Sequence, residues 1–249
     1  MNIVKNKYMI VALVMLFLSL CSCFIVYQWS MKLYNITVEV IQLMCGLVSL
    51  ICIFDCIIKR GNVVIYKIIA QSFICFILGE LYWVLHLYIK GYEQIGSFSI
   101  SDLSWIGFYI LLFSASYNVL RPLIEKGISV PIKYSFISMI APILILASSI
   151  TLFLKGDNIF YTIIYLIPTA LLSYFTMKYI LLSYNNLGNL KSFRSYNYVV
   201  ALILLLDNLI CLSVSFGFED AEDILKFGFA MALLLIVPAM YKGVEECQV

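Results

Sequence analysis

Two carboxylates stand inside long apolar runs: Asp207, followed by Asn208, and Glu80, within Gly79-Glu80-Leu81-Tyr82-Trp83. An ionised carboxylate near the centre of a bilayer costs about 2.5–3.5 kcal/mol on insertion scales, so such a group faces a helix bundle or water. There it can carry a proton, hold a cation or meet a ligand. The plainer role is an interhelical hydrogen bond, worth about 0.6 kcal/mol on average. His86 is the single histidine and follows Glu80 by six residues. On a helix that spacing turns the two side chains about 120° apart and separates them by about 9 Å, so they form no dyad on one face. His86 can instead approach Asp102 across the next loop, or sit with Trp83 and Tyr88 as an interfacial aromatic. Asp102 and Asp223 each stand where a further apolar helix begins. A carboxylate there caps free N–H groups and complements the helix dipole. The ligand, proton or ion candidates are therefore Asp207, Asn208, Glu80, Trp83, His86, Asp102 and Asp223.

No catalytic constellation accompanies them. The chain has no Gly-rich phosphate loop, no His-Glu-x-x-His and no nucleophile elbow. One histidine excludes most zinc hydrolase patterns. Of eight cysteines, Cys21, Cys23, Cys45, Cys52, Cys56, Cys75 and Cys211 lie in apolar runs, where cysteine behaves as a small hydrophobe. Cys52 and Cys56 are one helical turn apart, but no histidine or further cysteine joins them as metal ligands. No cofactor or metal is expected. A net charge of +2, with Lys59-Arg60 as the longest basic pair, provides no patch for nucleic acid.

The elements that must position these residues follow from composition. Hydrophobic residues make up 63% of 249 positions and charged residues 12%, about half the charge of a soluble domain. A bilayer core needs about 20 apolar residues per crossing helix. Runs of that length lie at 8–29, 36–58, 63–89, 101–120, 133–154, 159–184, 196–217 and 224–241. Backbone groups in lipid must be satisfied within the segment, which makes the fold an all-α integral membrane protein of eight transmembrane helices. The Leu20-Cys21-Ser22-Cys23 stretch is like a lipoprotein cleavage site, but the apolar run continues through Tyr27 and predicts an uncleaved first span. Placing the N-terminus in the cytoplasm puts twelve of the sixteen Lys and Arg residues on that side, leaving Lys32, Lys90, Lys155 and Lys226 to the outer loops. The acidic run Glu219, Asp220, Glu222 and Asp223 also falls outside. Both termini are expected in the cytoplasm, and the location in the cell membrane.

The fourth and eighth spans begin alike: Asp102-Leu103-Ser104-Trp105-Ile106-Gly107-Phe108 and Asp223-Ile224-Leu225-Lys226-Phe227-Gly228-Phe229. Each follows a span with an embedded acid, Glu80 or Asp207. This predicts two parallel four-helix repeats, 1–125 and 126–249. Intramembrane prolines occur only in the second: Pro142, Pro168 and Pro238. They fit either simple packing geometry or a half that flexes against a stiffer one.

Gly79-Glu80-Leu81-Tyr82-Trp83, with Ser99-Ile100-Ser101-Asp102-Leu103-Ser104-Trp105-Ile106-Gly107-Phe108-Tyr109, resembles the multispan sensor regions that precede bacterial diguanylate cyclase and phosphodiesterase domains. Those read approximately Gly-Asp-x-x-Trp, a loop, then Ser-x-Ala-Asp-x-x-Tyr-x-x-x-Tyr. This chain differs in Glu80 for Asp and Ser101 for Ala. Only eight residues follow Tyr241, so no output domain is expected there. The resemblance implies a sensory or accessory signalling module that works with a separate protein partner in the membrane or cytoplasm. Two other classes stay open. Buried acids and kinked helices in parallel repeats suit a small proton- or ion-coupled transporter. The Glu80, His86 and Asp102 neighbourhood suits a lipid-modifying membrane enzyme.

Overall fold

The computed structural model describes residues 7–28, 31–60, 63–90, 99–125, 132–154, 159–184 and 193–247. Secondary structure there is entirely helical: α1 (Lys7–Tyr27), α2 (Met31–Arg60), α3 (Val64–Lys90), α4 (Ile100–Glu125), α5 (Ile132–Ser138), α6 (Ile140–Leu154), α7 (Ile159–Ser183), α8 (Arg194–Phe216) and α9 (Glu219–Cys247). They supply eight segments long and apolar enough to cross a bilayer, with α5 and α6 together forming the fifth. These match the eight apolar runs. Large apolar side chains such as Phe17, Phe24, Leu144 and Ile224 point outward along them. A contiguous apolar exterior of this kind suits lipid.

The break between α5 and α6 has a local cause. Pro142 has no N–H to give the Ser138 carbonyl, and its ring crowds that carbonyl. The chain responds at Met139, whose N–H turns to the Phe136 carbonyl at 3.1 Å before helix resumes. Pro168 and Pro238, by contrast, lie within unbroken helices. At the other end of the second half, Gly217 adopts φ 72° and closes α8. Its N–H reaches Val214 O at 3.1 Å while that of Phe218 reaches Ser213 O at 2.9 Å, the paired bonds that satisfy a helix C-terminus. Two residues therefore join α8 to α9. The acidic run 219–223, expected as a loop, is the first turn of α9.

Neighbouring helices form a closed ring in the order α2, α3, α4, α7, α8, α9 and back to α2. Outside it, α1 packs on α2 and α9, while α5 and α6 pack on α7, with α6 also touching α8. Phe76 lies 5.3 Å from Phe108 and 5.9 Å from Phe229, ring centre to ring centre, filling the space among α3, α4 and α9. A Cβ at Gly46 would come within 3.1 Å of the Phe76 ring, so glycine lets α2 pack closely on this cluster. Tyr109 and Phe113 meet Tyr165 and Phe175 across the α4–α7 contact. Buried hydroxyls add ties: Ser72 donates to Phe108 O at 3.0 Å, and Ser49 to Leu233 O at 3.1 Å.

The two ends of the bundle differ in charge. At the end where α1 begins, Asp55 of α2 receives Lys7, Lys59 and the Tyr8 hydroxyl, the last at 2.7 Å. Tyr8 also packs edge-on against Tyr241 of α9. This basic end is fastened by pairs that are largely exposed.

Candidate functional site

The sequence candidates separate into two groups that do not meet. Asp207 of α8 is half-buried at the wall of a small, partly open cleft between α6, α7 and α8. Ser149 of α6, Thr162, Tyr165 and Thr169 of α7, and Cys211 of α8 share that wall. Behind Asp207 stands the Tyr109 hydroxyl of α4 as its hydrogen-bond neighbour. Ile203, Leu204 and Cys211, at helical spacing on the same face, cannot neutralise a carboxylate, so compensation comes from another span, a bound cation or a proton. Asn208 lines the same cleft, but its polar atoms are engaged. Its Oδ1 accepts from Ser148 of α6 at 2.7 Å and its Nδ2 donates to Leu204 O at 3.0 Å. Asn208 thus holds α6 against α8 and leaves Asp207 to face the opening.

The second group lies at the end opposite Lys7. Glu80 is only 3% exposed, and its Oε2 has no hydrogen-bond partner. Beside it lies Trp105 of α4, whose Nε1 also lacks one. Gly79 makes this approach possible: a Cβ there would stand 2.8 Å from Trp105 Nε1 and 3.1 Å from Ser101 O. Trp83 packs on Trp105 at 6.3 Å and stacks on His86 at 6.2 Å, so His86 belongs to an aromatic cluster. Asp102 is drawn into a reciprocal cap. Its Oδ2 accepts from Ser99 N at 2.7 Å and Ser99 Oγ at 2.6 Å, while the Asp102 N–H points at Ser99 Oγ at 3.4 Å. Capping, with Ser99 as first residue and Asp102 on the return bond, accounts for this acid.

The largest electrostatic feature was not among the candidates. Lys226 Nζ of α9 bonds Glu39 Oε1 of α2 at 2.5 Å and Glu222 Oε1 at 2.7 Å. The Glu39 side chain is 7% exposed and that of Lys226 19%. Glu80 lies within electrostatic range of both Glu39 and Lys226. Lys226 was read as an outer-loop charge; it is an internal counter-ion inside α9 instead. Asp223 also departs from expectation, since it stands a turn inside α9, past the capping position, and is felt by Cys23 of α1.

Among the described residues no three His, Cys, Asp or Glu side chains gather as metal ligands, and Cys52 and Cys56 are free thiols. Comparison with family models, curated proteins and solved structures finds no match.

Proposed function

We propose that this protein is a multi-pass membrane sensory or accessory module, with its ligand site in the cleft at Asp207 and its output taken up by a separate protein partner. The observation that carries this reading is the position of Asp207 between two environments. One side of the carboxylate faces the cleft; the other meets Tyr109, which is 2% exposed and packs in the aromatic core. A change of charge or occupancy in the cleft therefore acts on Tyr109, which packs across the α4–α7 contact. Transmission through packed helices with alternative arrangements is the form such coupling takes.

The packing favours binding over transport. Phe76, Phe108 and Phe229 fill the space among α3, α4 and α9, and the cleft lies at the bundle's flank. Lipid chemistry at the Glu80 end has less support, because Ser99 engages the Asp102 carboxylate.

The same reading includes two parallel repeats in the cell membrane, with both termini in the cytoplasm. Ring order supports the repeat: exchanging α2, α3 and α4 with α7, α8 and α9 leaves every ring contact in place. So do the paired glycines. Gly107 of α4 faces Cys75 of α3, and Gly228 of α9 faces Leu206 of α8. This register equates Asp207 with Phe76 and sets Asp207 about one turn, roughly 6 Å, deeper than Glu80. The acids then serve different purposes.

Proteoliposomes with a trapped pH-sensitive dye test the choice between module and carrier. The module reading expects an imposed proton gradient to decay as in protein-free vesicles. Faster decay that Asp207→Asn abolishes would establish a proton-coupled carrier and overturn it.

A further inference from the structure

The cleft's lining specifies a ligand class. Among the described residues Asp207 is its single charged one, and no lysine or arginine lines it. Asn208 is spent on Ser148 and Leu204 O, so it offers the cleft little. Around the carboxylate, Ser149 and Thr169 present hydroxyl oxygens and Tyr165 an aromatic ring, itself 6.0 Å from the Tyr109 ring. Ile145, Leu152 and Leu166 make the remaining walls apolar.

This pattern combines one negative charge, oxygen acceptors, aromatic faces and alkyl walls. An inorganic cation gains little from the last two. An ammonium carried on an alkyl chain uses all four: N–H groups to the carboxylate and hydroxyls, charge beside the Tyr165 ring, and hydrocarbon against isoleucine and leucine. We infer that the α6–α7–α8 cleft binds an organic monocation of the alkylammonium class, with Asp207 as counter-ion. This rests on the module reading and gives its site a ligand chemistry. Occupation would neutralise the half-buried carboxylate that Tyr109 touches, so binding is reported to the core through that hydroxyl.

Cys211 lines the cleft and serves as an intrinsic reporter. The purified full-length chain is alkylated with N-ethylmaleimide, and modification of the Cys211 peptide is followed by mass spectrometry with butylammonium chloride present. At ten times its dissociation constant, the amine is expected to slow Cys211 modification about elevenfold by mass action. Butanol and sodium chloride at matched concentration should leave the rate unchanged, and Asp207→Asn should lose the protection. Four results overturn the inference: no protection by butylammonium, equal protection by butanol, equal protection by sodium chloride, or protection that persists in Asp207→Asn. Should the asparagine variant aggregate, the comparison of amine, alcohol and salt on the unaltered protein decides alone. Failure of the module reading looks different: butylammonium would accumulate inside proteoliposomes while Cys211 protection remained intact.

Discussion

Replacing Lys226 with methionine keeps a long apolar side chain at the same place and removes only the positive charge. Lys226 is the shared cation of Glu39 and Glu222, at 2.5 and 2.7 Å. Without it, Glu39 remains buried with a 7% exposed side chain and no counter-ion from α9. Removing one partner of a buried pair costs about 3–5 kcal/mol, mostly for the charge left behind. Glu222 is 23% exposed and can reach water, which places the expected loss near the lower bound, about 3 kcal/mol. Such a loss raises the unfolded fraction on the order of a hundredfold. Unfolding in mixed micelles of rising dodecyl sulfate content, followed by circular dichroism, measures it. The double variant Glu39→Gln with Lys226→Met leaves only Glu222, which can reach water, without its cation, and should recover most of the lost stability. A Lys226→Met loss below about 1 kcal/mol would refute the buried-pair reasoning. Simple addition of the two single losses in the double variant would do the same.

If the proposed module reading holds, Asp207→Asn should abolish signalling to a separate partner while leaving folded protein in the membrane, whereas Asp207→Leu should also lower folded yield; full activity of the asparagine variant would make Asp207 structural glue. Gly79→Ala should displace the Trp105 indole and cost about 1–3 kcal/mol, read from altered tryptophan fluorescence with a lowered unfolding midpoint. A Cys at position 220 in a cysteine-free chain should react with an impermeant maleimide in intact cells, and one at 188 only after permeabilisation; the reverse pattern inverts the topology.

Composition and periodic breaks alone determined the eight helices long and apolar enough to cross a bilayer, because hydropathy is a sum over neighbours in sequence and needs no knowledge of the fold. The helix start at Ser99 to Asp102 was legible for the same reason, since both partners of the cap lie within one turn. Pro142 marked a disturbance, though which residue would yield, Met139, depends on the local bonding that replaces the lost one. Asp207 and Glu80 were visible as acids in apolar runs, yet their surroundings were not. Tyr109 reaches Asp207 only because α4 packs on α7, which in turn packs on α8. Glu39 passed unnoticed because one carboxylate barely lowers the mean hydropathy of a span, and Lys226 passed as a loop charge because its own helix begins nearby. Their pairing joins positions separated by 187 residues. Only the closure of α9 onto α2 brings them within bonding distance, and burial is what turns two ordinary end-of-helix charges into an internal ion pair.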